Sequence, residues 1–197
     1  MPVIGITGGI ATGKSTVTRM LGELGVVTLS ADDSAREVVA PGSEGLRSIV
    51  EAFGSEVLLP DGSLDRQKVA SLVFARPEAR RTLESISHPL IMRRLKEQIE
   101  AVKQQKPDAF IAVETPLLYE AGMEDWFDWV VVVSAPGAVQ KARLAPLMPE
   151  EEAAGRIDAQ MPLEEKEARA DHVIVNTGSP ESLRKQVRSL WKRLRQP

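Results

Sequence analysis

Gly8-Gly9-Ile10-Ala11-Thr12-Gly13-Lys14-Ser15-Thr16 follows the pattern G-x-x-x-x-G-K-[ST], and the reading of this stretch decides the fold. Glycines let consecutive backbone N–H groups turn inward around phosphate oxygens, and a helix N-terminus behind them adds partial positive charge. The flanks supply the context such a loop needs. Upstream, Val3-Ile4-Gly5-Ile6-Thr7 is a short apolar run suited to a buried parallel strand. Downstream, Val17, Met20, Leu21 and Leu24 recur at i, i+3, i+4 and i+7, with Gly25 following as a C-terminal cap. Gly9, Ala11, Thr12, Gly13, Lys14, Ser15 and Thr16 are therefore expected to hold a nucleotide. Lys14 would reach the β- and γ-phosphates, the Ser15 hydroxyl would ligate Mg²⁺, and Thr16 can add a contact to the α-phosphate. The alternative is a glycine-rich strand-to-helix turn that binds nothing.

Four further strands are expected at Val26–Leu29, Phe110–Glu114, Trp129–Val133 and Val173–Val175, separated by helical stretches. That alternation predicts an α/β fold, a P-loop NTPase-type five-stranded parallel sheet flanked by helices. One P-loop unit spans 1–197, with a core at about 1–31, 107–137 and 168–197. A helical substrate-binding insertion is expected at about 32–106 and a helical lid at about 138–167. Within the insertion a long helix should open at Pro89, since proline suits the first helical position. The last helix should start at Ser179 as cap with Pro180 behind it.

With 197 residues, 43% hydrophobic and 27% charged, and a formal net charge of -3, the composition is that of an ordinary soluble protein. Nothing in it points to nucleic acid or membrane as a partner. The apolar runs are too short to cross a bilayer, and the N-terminus enters a strand with no secretory signal. Zero cysteines exclude disulfides, thiol chemistry and cysteine-based zinc sites. A cytoplasmic enzyme using a nucleoside triphosphate is the expectation.

In open α/β sheets ligands bind beyond the carboxyl ends of strands, which makes Asp32, after the second strand, a base for an attacking hydroxyl. Its bland alternative is a cap, by Asp32 or Asp33, for the helix that follows. Arg36 is either a phosphate clamp or a solvated helix residue. Glu114 ends the third strand, where it can hold the water shell of Mg²⁺ or sit at a polar edge. Arg143 and Arg156 are the cations that a closing segment could bring to the γ-phosphate. His88 needs no function as a capping or core residue.

Several of these stretches in order resemble the dephospho-coenzyme A kinase family. They are Ile4 to Ile10, the loop to Thr16, Ala31-Asp32 with Ala35-Arg36-Glu37, Asp61 to Arg66, Ser87 to Ile91, and Pro116 to Glu120. Arg156-Ile157, Gln160-Met161-Pro162, Ala170-Asp171 and Asn176-Thr177-Gly178 continue the set. The resemblance implies transfer of the ATP γ-phosphoryl group to the ribose 3′-hydroxyl of dephospho-coenzyme A, with ATP and Mg²⁺ as cofactors; a monomer is the expectation for its assembly, which the sequence does not encode legibly. It further implies Asp32 as general base, Lys14 and Arg143 beside it in catalysis, Asn176 and Gly178 next to the adenine, and Arg36 and His88 on the substrate side. Ser30, Ala11 and Leu147 depart from the family pattern, which often has an acid, glycine and a second lid arginine there. The first two are expected to be harmless, because Asp32 is retained and alanine is nearly as small as glycine. The rival readings are another P-loop kinase, acting on a nucleoside monophosphate or small alcohol, and a regulatory module that has lost catalysis. A GTPase is disfavoured because no N-K-x-D segment is found.

Overall fold

The structure, a computed structural model, describes residues 1–196, so position 197 at the end of the expected core lies outside them. By its internal contacts the chain divides into two compact units, 1–29 with 102–197, and 30–101.

The first unit is built on a five-stranded, all-parallel sheet. Its strands are β1 (Val3–Gly8), β2 (Val27–Ser30), β3 (Ile111–Glu114), β4 (Trp129–Ser134) and β5 (His172–Val175), in the spatial order β2-β3-β1-β4-β5. Every residue of β1 is buried, as a run with no polar face demands of a central strand. It pairs with β3 from Val3↔Ile111 to Ile6↔Glu114, and with β4 from Ile4↔Trp129 to Gly8↔Val133. The outer strands β2 and β5 retain exposed positions, as edge strands can. Helices α1 (Lys14–Glu23) and α9 (Pro180–Leu194) pack together against the sheet. Val17, Met20 and Leu21 of the one meet Leu183, Val187, Leu190 and Leu194 of the other over Ile4, Ile6, Val131, Val133 and Ile174. The 3.6-residue spacing of these apolar side chains makes them one face of each helix. Because the strands run parallel, Gly8, Glu114, Ser134 and the residue after Val175 all lie at the same edge of the sheet.

That unit also holds α6 (Gly137–Leu144), α7 (Glu150–Asp158) and α8 (Leu163–Ala168). Acids crowd the first turn of α7 at Glu150, Glu151 and Glu152, complementing its dipole.

The second unit is helical: α2 (Ala31–Glu37), α3 (Glu44–Phe53), α4 (Arg66–Ala75) and most of α5 (Pro77–Gln105). Val39, Ile49, Val57 and Val69 form its core, with Phe53, Leu64, Leu72, Leu83 and Ile86 packed against them. Helix α5 corrects the sequence reading, since it passes straight through Pro89 instead of opening there. An internal proline costs a helix about 3 kcal/mol through its missing N–H and its clash with the preceding turn. Packing outweighs that penalty here. Leu83 and Ile86 are pinned to the core before the proline, and Leu95 and Ile99 are buried after it.

Candidate functional site

The loop between β1 and α1 is shaped by its backbone. Gly13, at φ 98°, is the residue before α1, and no side chain caps that helix, the kind of N-terminus that takes an anion. Ala11 has φ 58°, in the left-handed region where a β-carbon costs about 1–2 kcal/mol. Size is therefore not the issue at this position, as the sequence reading took it to be. The backbone angle is what a glycine would relieve. Thr12 is fully buried and its hydroxyl donates to the Gly9 carbonyl at 2.9 Å. Lys14 is nearly buried, and its Nζ donates to the same Gly9 carbonyl at 2.8 Å and to that of Gly8 at 3.2 Å. Thr16 lies in the first turn of α1, its N–H donating to the Gly13 carbonyl at 3.1 Å.

Two residues far along the chain brace this loop from outside. Arg143, on the last turn of α6, donates from Nη1 to the carbonyls of Ala11 at 2.9 Å and Thr12 at 3.1 Å. Its Nη2 donates to Asn176 Oδ1 at 3.1 Å, and Asn176 Nδ2 donates to Thr12 O at 2.8 Å. With these carbonyls held outward, the loop's remaining N–H groups are free to face an anion. Gly178, at φ 112°, sends its N–H to Asn176 Oδ1 at 3.3 Å and so completes the turn after β5.

Ser15 Oγ donates to Glu114 Oε1 at 2.7 Å, which joins the first turn of α1 to the end of β3. A hydroxyl beside a carboxylate is a pair of hard oxygen donors, of the kind Mg²⁺ accepts alongside phosphate and water. No cluster of three or more acidic, histidine or cysteine ligands occurs among the described residues.

The structure brings Gly9, Ala11, Thr12, Gly13, Lys14, Ser15, Thr16, Arg143, Asn176 and Gly178 together. Arg156 pairs instead with Glu152 on its own helix at 2.8 Å, and both are exposed. Leu147 is 74% exposed in the connection after α6. In the other unit, Asp32 is exposed in the first turn of α2, its carboxylate unpaired among the described residues. Neither aspartate is the cap of that helix. Ser30 is, its Oγ accepting the Asp33 N–H at 3.2 Å, because the residue with extended backbone before the first turn is the one whose side chain can reach it. Arg36 pairs with Asp33 at 2.8 Å on the surface. His88 is exposed in mid-helix on α5, neither capping nor core.

Sequence reasoning did not find the role of Gln160, whose Oε1 accepts the Ile10 N–H at 2.7 Å. The only signal was its place in Gln160-Met161-Pro162.

Comparison with known proteins gives a family that covers most of the chain. The family model described as dephospho-CoA kinase matches residues 2–181. A dephospho-CoA kinase of Anaeromyxobacter dehalogenans is 48% identical over 186 residues, covering 93% of this chain and 87% of that one. One from Geobacter sulfurreducens is 45% identical over 194 residues, covering 97% and 98%. Among solved structures, dephospho-CoA kinase from Campylobacter jejuni superposes with a TM-score of 0.74 at 29% identity, over 98% of this chain and 96% of that one.

Proposed function

The chain belongs to the dephospho-CoA kinase family, and from that premise we propose how its own residues serve the ATP-dependent phosphorylation that completes coenzyme A biosynthesis. The acceptor is the ribose 3′-hydroxyl of dephospho-coenzyme A and the donor is the γ-phosphoryl group of ATP. The observation that carries the reading is the meeting of three features at one sheet edge: an uncapped helix N-terminus, the Lys14 ammonium and the Ser15–Glu114 pair.

Phosphoryl transfer leaves the protein little covalent work, so positioning and charge do most of the catalysis. The loop N–H groups and Lys14 hold the phosphate oxygens in line. Ser15 Oγ and Glu114 are the residues that would hold Mg²⁺, Glu114 through its water shell, and the ion would supply positive charge to neutralise the phosphates. Arg143 and Asn176 keep the loop in its binding shape from the nucleotide side. Asp32 takes the proton of the attacking hydroxyl, a role its unpaired carboxylate supports. Arg36 and His88 are the substrate-side residues that the family resemblance implies, and Arg36 would exchange Asp33 for an anionic group of the substrate.

An assay of ADP release with Mg²⁺-ATP tests this, comparing dephospho-coenzyme A with adenosine monophosphate, shikimate and no acceptor. Saturable turnover with dephospho-coenzyme A alone is expected. Turnover with either other acceptor, or ATP binding with no turnover at all, would overturn it, the second outcome favouring a regulatory module.

A further inference from the structure

We propose that Gln160 is a positioning residue for Lys14, acting through the Gly9–Ile10 peptide, and that Glu120, paired with the buried Lys166, holds Gln160 in place. The inference rests on reading the loop as the ATP site.

One peptide unit carries both halves of the argument. Its N–H, on Ile10, donates to Gln160 Oε1 at 2.7 Å. Its C=O, on Gly9, accepts Lys14 Nζ at 2.8 Å and the Thr12 hydroxyl at 2.9 Å. In a trans peptide the N–H and C=O point in opposite directions. An acceptor fixed on one side therefore sets where the carbonyl on the other side aims, and with it the ammonium. Hydrogen bonds at both ends of one amide also polarise one another.

Gln160 is in turn fixed through its neighbour. The Met161 N–H donates to Glu120 Oε1 at 3.1 Å, and that oxygen lies 2.7 Å from Lys166 Nζ. The Lys166 side chain is 0% exposed and donates as well to the Pro116 carbonyl at 3.0 Å, which also accepts the Thr7 hydroxyl at 3.3 Å. These bonds run from the end of β1 through α8 and back to the loop. A charge buried this completely is costly unless every partner is in place, so the network keeps one arrangement.

The experiment uses the full chain with Gln160→Met, which matches glutamine in length and lacks the acceptor. We read KM for ATP and for dephospho-coenzyme A, the Kd of a non-hydrolysable ATP analogue, and the melting temperature. Loss of one net hydrogen bond predicts roughly a three- to tenfold weaker ATP analogue and a matching rise in KM for ATP. KM for the acceptor should stay where it was, and the melting temperature should fall by no more than roughly 1–6 °C, the cost of one lost hydrogen bond. Glu120→Gln should also weaken ATP, but should add nothing further to ATP affinity when combined with Gln160→Met, since its effect passes through Gln160. An analogue Kd for Gln160→Met within about twofold of the parent overturns the proposal. So does a parallel rise in both KM values, which marks a merely structural residue. Failure of the parent chain to phosphorylate dephospho-coenzyme A would instead overturn the functional reading, and the analogue Kd would still judge Gln160.

Discussion

Replacing Gly13 with alanine puts the geometry of the loop to a quantitative test. Gly13 sits at φ 98°, and a β-carbon there would lie 2.4 Å from Asn176 Nδ2. The backbone angle alone costs an alanine about 1–2 kcal/mol. The clash adds to this, because the Asn176 amide cannot withdraw freely. It donates to Thr12 O at 2.8 Å and accepts Arg143 Nη2 at 3.1 Å, and displacing it forfeits one or both bonds at about 1 kcal/mol each. The sum is about 2–4 kcal/mol, and a chain of this size loses about 2–4 °C of melting temperature per kcal/mol, so a fall of roughly 4–16 °C is expected. Thermal unfolding followed by circular dichroism measures it, with a nucleotide titration alongside to show weakened ATP binding. In an Asn176→Ala background the steric part vanishes, and Gly13→Ala should cost about 1–2 kcal/mol less than in the parent. Ala11→Gly is the control of opposite sign. It relieves the φ of 58° and should raise the melting temperature by roughly 2–8 °C. A Gly13→Ala variant that melts within about 1 °C of the parent, or one that loses as much with the Asn176 side chain removed, would refute this account of the loop.

Two other outcomes follow from the same chain of reasoning. Asp32→Asn should lower kcat by about 10²-fold or more while leaving the affinity for an ATP analogue unchanged, and a variant with normal turnover would remove Asp32 from the mechanism. His172, at the start of β5, has its pKa lowered by burial first and by the nearby Arg193 charge second. The unfolded chain, with its imidazole near the ordinary value of about 6.5, then binds more protons than the folded one as pH falls below that value. Stability should decline on the acid side of about pH 6.5 and be unaffected through this group above it. His172→Gln should flatten that decline in melting temperature, and an unchanged acid slope would exclude the histidine as its source.

Features made by neighbours in the chain were open to reading without coordinates. The β1 run, the glycine spacing of the loop, the apolar faces of α1 and α9, the Ser179 cap and the acid-rich start of α7 each depend on residues within a few positions of one another. Periodicity and backbone preference act over that range, so the order of strand, loop and helix and the identities of Lys14 and Ser15 were legible. Whatever depends on residues meeting across the fold was not. The strand order and the Ser15–Glu114 bond, 99 residues apart, belong to this group, as do the brace from Arg143 to Ala11 and Thr12 and the Gln160 contact with Ile10 across 150 residues. A glutamine carries no periodic signal, and its partner is a backbone amide that every residue except proline possesses. The continuous helix through Pro89 and the left-handed Ala11 are overrides of the same origin. Local preferences of about 1–3 kcal/mol argued against both, and only tertiary packing and hydrogen bonding, which arise once distant segments are brought together, could outweigh them.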